Sequence, residues 1–210
     1  MNELMAKLGQ NLIAGQTEKI KGLTEEALRA GILPQEILER AMMRPMEELG
    51  ERFSRGEAFL PELLLAAHGM KAAMEVLKPA LSQGEVKPEA TMVIGTVAGD
   101  VHDLGKNIVR MMFESAAFRV VDVGVNVSAE QFLEAYREEK PDLVGLSSLL
   151  TTTMQEMEKV IQKVRGAYPG AKFIVGGAPI RQDFADKIGA DGYAPDAHTA
   201  VKVAKKIMGS

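Results

Sequence analysis

The spacing of apolar residues changes near residue 88, and this change most limits the folds open to the chain. Before it, apolar residues recur every three or four positions, as at Leu4, Leu8 and Leu12, which is the period of an amphipathic helix. After it, short apolar runs alternate with longer amphipathic stretches, a pattern typical of βαβ units around a parallel sheet. The sequence therefore predicts two domains, a helical one over residues 1–88 and an α/β one over residues 89–210.

Four helices are predicted in the first domain. One starts at Thr17, Pro34 and Pro61 suit the first turns of two others, and the last is expected to end before Pro79. Pro45 falls inside the third helical pattern and should kink or divide it, because proline has no amide donor and clashes with the preceding turn.

Five strand-like runs follow a polar linker at residues 82–88. They cover residues 91–97, 119–123, 142–147, 172–175 and 191–194. Because parallel crossovers are right-handed, the expected fold is a flavodoxin- or Rossmann-like, doubly wound, five-stranded parallel sheet. Ligands bind such sheets at the carboxyl ends of the strands.

The composition excludes several kinds of protein. The chain has no cysteine, which excludes disulfides, thiolate-bound metal and a cysteine nucleophile. Its net charge is −4 with both signs interspersed, so nucleic acid is not an expected partner. A basic and apolar leader and a long apolar run are both lacking, which favours a soluble, cytoplasmic protein without a membrane partner.

Polar or glycine-rich segments follow predicted strands one, three and four, at residues 99–107, 147–153 and 176–179. Each has a structural explanation by itself: a helix start, a capped first turn and a tight turn. Their common position at the ligand-binding edge of the sheet makes them candidates for one site.

Taken together, these segments resemble the fingerprint of the cobalamin-binding domain of methionine synthase and its relatives. The fingerprint here is Asp100-x-His102-x-x-Gly105, then Ser147-x-Leu149, then Gly176-Gly177. The gaps of 41 residues (106–146) and 26 residues (150–175) match the usual spacing of that family. The resemblance implies a cobalamin or related cobamide bound base-off and His-on, with His102 as the lower axial ligand of cobalt.

The resemblance also assigns roles that the chemistry of the residues supports. A neutral imidazole is a suitable ligand for cobalt, and Asp100 would accept the N–H of the other ring nitrogen. By resemblance, the Thr153 hydroxyl would complete this hydrogen-bonded relay with His102 and Asp100, at the position where methionine synthase has a serine. In the family the nucleotide base of the cofactor leaves the cobalt, and its tail enters a slot beside the sheet. Ser147 would hydrogen-bond to the tail in this slot, and Gly95, Gly176 and Gly177 would leave the slot open because they have no side chains. Further cofactor contacts are expected from Val101, Asp103, Leu104, Gly105, Ile108, Leu149, Thr151 and Ala178.

The first domain resembles the helical cap that precedes the cobalamin domain in methyl-carrying members of the family. The resemblance rests on residues 50–53 (Gly-Glu-Arg-Phe) and 59–62 (Phe-Leu-Pro-Glu). It implies a four-helix bundle cap over residues 1–88 and a cobalamin-binding domain over residues 89–210. Phe59 is the expected cap contact, with Leu63 and Met70 as further candidates, although methionines at such spacing commonly fill a core.

The expected function is that of a corrinoid methyl carrier in one-carbon metabolism. Its partners would be a substrate-specific methyltransferase, a second methyltransferase that acts on a tetrahydrofolate or a thiol coenzyme, and a reductive activator. A cobalamin-dependent sensor is an alternative, but such proteins usually add a DNA-binding segment, and none is visible. The small subunit of an adenosylcobalamin mutase is another, against which the cap counts.

His68 and His198 are the other two histidines of the chain. Both are expected in solvated or capping positions. A non-haem iron site would require one of them to fold back toward His102.

Overall fold

The computed structural model describes residues 2–81 and 88–209. The chain divides into two compact units, Met1–Lys87 and Pro88–Ser210. The predicted polar linker lies outside the described residues except for Pro88.

The first unit is helical, as predicted. Its elements are α1 (Asn2–Ile13), α2 (Thr17–Arg29), α3 (Pro34–Glu36), a π-helical segment (Ile37–Met43), α4 (Arg44–Ser54) and α5 (Leu60–Leu81). Its largest fully buried side chains include Leu8, Leu12, Ile20, Leu63 and Leu77. The residues that are apolar at helical spacing therefore form its core.

The prolines of this unit act differently from one another. Pro45 does not end the helix: it lies in the first turn of α4, and a π-helical segment directly before it replaces the predicted kink or division. There the Arg44 N–H bonds to the Glu39 carbonyl, five residues back, a wider turn that accommodates a proline without breaking the helix. The predicted end before Pro79 is wrong, because α5 continues to Leu81. A proline so near the end of a 22-residue helix disturbs only its last turn.

The second unit is a doubly wound α/β fold. Its strands are β1 (Thr91–Thr96), β2 (Arg119–Asp122), β3 (Leu143–Ser147), β4 (Phe173–Gly176) and β5 (Gly192–Ala194). Its helices are α6 (Leu104–Ser115), α7 (Ala129–Glu139), α8 (Glu156–Ala167), α9 (Gln182–Lys187) and α10 (Ala197–Met208). All strand pairs are parallel and the order is β2-β1-β3-β4-β5, which confirms the predicted flavodoxin-like sheet.

Both faces of the sheet are covered by helices. On one face, valines of β1, β3 and β4 pack with Phe132 of α7 and with Met157 and Val160 of α8. On the other face lie α6 and α10, which contact each other and several strands. Because side chains alternate between two covered faces, most residues of β1, β3, β4 and β5 are buried, whereas the edge strand β2 has only partly buried or exposed residues.

Gly95 belongs to the packing of this sheet. A Cβ at Gly95 would lie 2.6 Å from Val123 and 2.7 Å from the Phe132 ring. The missing side chain therefore makes room for α7, and the predicted role of Gly95 in an open slot is not seen.

Among the described residues, the helices are too short or too polar to span a membrane.

Candidate functional site

The loop between β1 and α6 holds His102 against a buried carboxylate. The Nδ1 of His102 lies 2.7 Å from Oδ1 of Asp100, and the same oxygen accepts the His102 backbone N–H at 3.0 Å. Asp100 is fully buried, whereas the imidazole is 48% exposed. A carboxylate can only accept, so Nδ1 carries the proton. The Nε2 atom is thus the ring nitrogen left for a ligand.

The second oxygen of Asp100 is bound by the segment after β3. Its Oδ2 accepts the Leu149 N–H at 2.7 Å, and the hydroxyls of Ser148 and Thr153 each lie 3.2 Å from it. Burial acts to raise the pKa of Asp100, but the hydrogen bonds from His102, Leu149 and Thr153 outweigh it and hold the pKa well below its ordinary value. Asp100 is therefore an anion that accepts hydrogen bonds on both oxygens.

Ser148 is the member of this cluster that the sequence did not indicate. It is 1% exposed, and its hydroxyl lies 2.8 Å from that of Thr153. Neighbouring side chains at a strand end point to opposite faces, so only one of two adjacent serines can face Asp100. The resemblance assigns Ser147 to the slot for the nucleotide tail, and the serine hydroxyl beside the Asp100 carboxylate is that of Ser148.

Two further polar side chains hold the loop, and the sequence carried no signal for either. The Thr96 hydroxyl donates to the His102 carbonyl at 3.0 Å. Asn126, in the loop after β2, accepts the Gly99 N–H at 2.7 Å on its side chain and donates its own N–H to the Asp100 carbonyl at 2.9 Å. Asn126 has φ 54°, a left-handed conformation that asparagine tolerates better than most residues.

A buried ion pair ties the start of α6 to the end of β2. Lys106 Nζ lies 2.5 Å from Asp122 Oδ2, and the Lys106 side chain is 2% exposed. Arg110 approaches the same oxygen at 3.3 Å, while Gly124 donates its N–H to the other oxygen at 2.9 Å. The loop that carries His102 is therefore anchored at both ends by residues of β2 and of the loop after it.

Three large apolar residues of the His102 loop and of the segment bonded to Asp100 are exposed to solvent. Val101 is 68% exposed, Leu104 64% and Leu149 44%. Gly105 has open space beside it, since a Cβ added there would have no neighbouring atom within 4 Å. Of the other predicted contacts, Asp103, Thr151 and Ala178 are exposed and Ile108 is partly buried. Large apolar residues exposed side by side usually mark a surface that binds something.

Small residues lie in register at the carboxyl ends of the strands. Thr96, Ser147, Gly176 and Ala194 stand side by side across the ends of four strands. Gly177 has φ 135°, and a Cβ there would collide with the Ser148 carbonyl oxygen. The sheet edge thus presents little side-chain bulk at these positions, and glycine is required at 177 by both conformation and space.

Several predicted residues lie elsewhere or differ from expectation. Phe59 belongs to the helical unit, is 69% exposed, and donates its backbone N–H to Glu62. Leu63 and Met70 are buried, so they do not offer an apolar surface as proposed for a cap.

The two remaining histidines also have separate outcomes. His68 is exposed, as expected. His198 is 6% exposed, so the expectation of a solvated position is wrong; the cap of α10 is the Asp196 side chain, which accepts the Thr199 N–H. Among the described residues, no three His, Asp or Glu side chains group as a metal site.

Comparison with protein families gives two matches, both described as a B12 binding domain. One covers residues 90–202 and the other residues 4–78. The chain belongs to the corrinoid proteins. It is 41% identical over 210 residues to trimethylamine corrinoid protein 2 of Methanosarcina mazei, covering 98% of this chain and 96% of that protein. It is also 41% identical over 207 residues to dimethylamine corrinoid protein 3 of Methanosarcina acetivorans, covering 98% and 97%.

Solved corrinoid proteins share the architecture. A cobalamin-binding protein from Desulfitobacterium hafniense superposes with a TM-score of 0.81 at 31% identity, covering 97% of this chain and 98% of that one. A chain of the methanol:cobalamin methyltransferase complex MtaBC from Methanosarcina barkeri gives 0.83 at 29% identity, covering 100% and 81%. The predicted family and fold are confirmed.

The residues of the site fit a corrinoid. The face of a flat macrocycle suits the exposed apolar residues Val101, Leu104 and Leu149. His102 offers a nitrogen ligand whose other ring nitrogen is already hydrogen-bonded to Asp100, the usual arrangement for a metal-bound histidine.

Proposed function

We propose that this corrinoid protein is a methyl carrier that binds cobalamin or a related cobamide base-off, with His102 as the lower axial ligand of cobalt. The single observation that carries this proposal is the Asp100–His102 pair. A half-exposed imidazole bonded through Nδ1 to a buried carboxylate stands within an exposed apolar surface. This pairing fixes the tautomer and raises the basicity of the nitrogen that remains.

When bound, the corrinoid supplies a cobalt centre that takes a methyl group from one partner and gives it to another. The protein's own residues control the lower face. Asp100 orients the imidazole through Oδ1 and keeps its own position through the Leu149 N–H and the Thr153 hydroxyl on Oδ2. His102, Asp100 and Thr153 would thus hold or release a proton together as the coordination of His102 changes.

The remaining contacts are proposed from their positions. Val101, Asp103, Leu104, Gly105, Ile108, Leu149, Thr151 and Ala178 belong to the loops and helix start around His102 or to the neighbouring strand ends. The nucleotide tail would lie against Ser147, Gly176 and Gly177, none of which has a side chain larger than that of serine. Residues 89–210 would then be the cobalamin-binding domain.

The helical unit is proposed as the cap, with Phe59 as its contact to the upper face of the cofactor. Support comes from the exposure of this phenylalanine, 69%, which is shared in the helical unit by Leu33 at 67% and Leu65 at 49%. An apolar cap would shield the reactive face from water. Phe59→Ala is expected to leave corrinoid binding intact and to speed the aqueous loss of a bound methyl group.

Methylamines are the proposed class of methyl donor. The chain is equally identical, at 41%, to a trimethylamine and to a dimethylamine corrinoid protein, so the likeness supports the class and does not select one amine. The proposed partners are a methylamine-specific methyltransferase, a second methyltransferase for the acceptor, either a thiol coenzyme or a tetrahydrofolate, and a reductive activator.

The decisive test of the ligand is electron paramagnetic resonance of the protein loaded with cob(II)alamin. Coordination by His102 should split the cobalt lines into triplets with ordinary nitrogen, and into doublets when the histidines carry nitrogen-15. His102→Ala should lose this splitting, whereas His68→Ala, which changes an exposed histidine of the helical unit, should keep it. Doublet splitting that persists in His102→Ala with nitrogen-15 histidines would refute the assigned ligand, whereas a triplet in that variant would come from the cofactor's own base.

The carrier function is tested by transfer. The reduced, loaded protein is mixed with trimethylamine, dimethylamine or monomethylamine and the matching methyltransferases, and methylation is followed by the visible spectrum. Methylation followed by delivery to a thiol or folate acceptor is the expected result. A light-dependent change of oligomeric state without transfer would instead favour a sensor, and radical formation with adenosylcobalamin would favour a mutase subunit.

A further inference from the structure

Two hydroxyl groups compete for one oxygen of Asp100. Ser148 Oγ and Thr153 Oγ1 each lie 3.2 Å from Asp100 Oδ2 and 2.8 Å from each other. Each also lies 3.2 Å from the Leu150 carbonyl oxygen. Asp100, Ser148 and Thr153 are 0%, 1% and 8% exposed, so the cluster is closed to bulk water.

The number of protons limits how these contacts can be used. A hydroxyl donates one hydrogen bond and can accept others. If Thr153 donates to Asp100, Ser148 can donate to Thr153 or to the Leu150 carbonyl. If Ser148 donates to Asp100, Thr153 takes the same two choices. Both arrangements satisfy every polar atom of the cluster, and a rotation of the two hydroxyls converts one into the other.

We propose that Ser148 is a positioning residue for His102: with Thr153 it forms a pair of interchangeable hydroxyl donors to Asp100. This inference rests on the proposed ligation by His102 and deepens it, because the relay then contains two hydroxyls where the family fingerprint indicates one. The carboxylate keeps a hydroxyl donor whichever of the two turns toward Leu150. Its other oxygen therefore stays aimed at the imidazole.

Redundancy of this kind has a characteristic signature. Removing one hydroxyl leaves the other in place, so Ser148→Ala and Thr153→Val should each weaken the coordination of His102 by about threefold or less. Removing both leaves Oδ2 with only the Leu149 N–H in a dry site. A buried hydrogen bond to a charged group is worth about 1.5–3 kcal/mol, so the double variant should weaken coordination by about tenfold or more. The two changes should thus be far from additive.

The experiment measures the ratio of histidine-bound to histidine-free cobalt at one fixed pH. The protein, with its histidines carrying nitrogen-15, is loaded with cob(II)alamin. The ratio is read from the doublet nitrogen splitting for the unchanged protein, both single variants and the double variant. Thr152→Val, a change of the exposed neighbouring threonine, is the control and should match the unchanged protein. Thr153→Ser in the Ser148→Ala background restores one hydroxyl and should return the ratio to near the single-variant value.

Folding is monitored separately by tyrosine fluorescence of the unloaded variants. If the double variant does not fold, Thr153→Cys in the Ser148→Ala background provides a weak donor of similar size, and it should give an intermediate ratio. Additive effects, or no effect of Ser148→Ala in either background, would overturn the role of Ser148 while leaving the ligand assignment standing. An unchanged protein without nitrogen splitting would overturn the ligand assignment and, with it, this inference.

Discussion

Replacing Gly177 with alanine should push apart the ends of β3 and β4. Gly177 has φ 135°, a conformation that an L-residue reaches only with strain on the order of 1–3 kcal/mol. The new Cβ would also collide with the Ser148 carbonyl oxygen and lie 2.9 Å from the Ser148 carbonyl carbon. Overpacking against backbone costs about 1–3 kcal/mol more. We expect Gly177→Ala to lose about 4 kcal/mol of unfolding free energy.

Gly124→Ala is the matched control. Gly124 lies in the same unit and has φ 93°, but a Cβ there would meet nothing within 4 Å. It should therefore suffer backbone strain alone, about 1.5 kcal/mol. The difference between the two variants isolates the close approach of Gly177 to Ser148.

Urea unfolding followed by tyrosine fluorescence measures this difference. The chain has three tyrosines and no tryptophan, and Tyr136, Tyr168 and Tyr193 all lie in the α/β unit, so the signal reports that unit. With a urea slope of about 1.5 kcal/mol per M, the Gly177→Ala midpoint should fall about 1.7 M below that of Gly124→Ala. Equal midpoints would refute the argument that a backbone collision requires glycine at 177.

Three further outcomes follow from the contacts around the site. Because the folded-state pKa of Asp100 is lowered, its carboxylate stabilises the fold at a pH above its unfolded-state pKa of about 3.9, and this stabilisation is lost as the pH falls below that value. The loss of unfolding free energy in Asp100→Asn, measured by urea titration, should therefore shrink from pH 7 toward pH 3. A loss that stays constant with pH would contradict this. Asn126→Gly keeps the left-handed backbone but loses the acceptor for the Gly99 N–H, so corrinoid affinity in equilibrium dialysis should fall about fivefold. Asn126→Asp keeps an acceptor and should bind the corrinoid normally. Equal affinities of Asn126→Gly and the unchanged protein would contradict the role of Asn126 in holding the loop. Lys106→Met leaves the Asp122 carboxylate with fewer partners and should lower the unfolding free energy of the α/β unit by about 3 kcal/mol. Adding Asp122→Leu removes that carboxylate and should recover part of the loss in the same urea assay. No recovery in the double variant would indicate that Lys106 acts only through packing.

Much of the fold could be predicted from the sequence. All five strands were predicted within a residue or so of their observed bounds, because buried parallel strands appear as continuous apolar runs. The end of α5 was not predicted correctly, because Pro79 lies in the last turn of the helix, where a proline disturbs little of the hydrogen bonding before it. The exposure of residues was also harder to predict: Leu63 and Phe59 are both apolar residues near the start of α5, yet one is buried and the other is exposed.

Within the site, the sequence by itself determined the Asp100–His102 pair, because the two residues are only two positions apart and their hydrogen bond depends on local geometry. Thr153 could be added only through the family resemblance. The tertiary structure alone decided that Ser148 rather than Ser147 reaches Asp100, and that Asn126 holds the loop. These contacts join residues 48 and 27 positions apart in the chain. They depend on the register of β1 against its neighbours and on the face to which each strand end turns, and a pattern of residue types does not specify either to within a single residue.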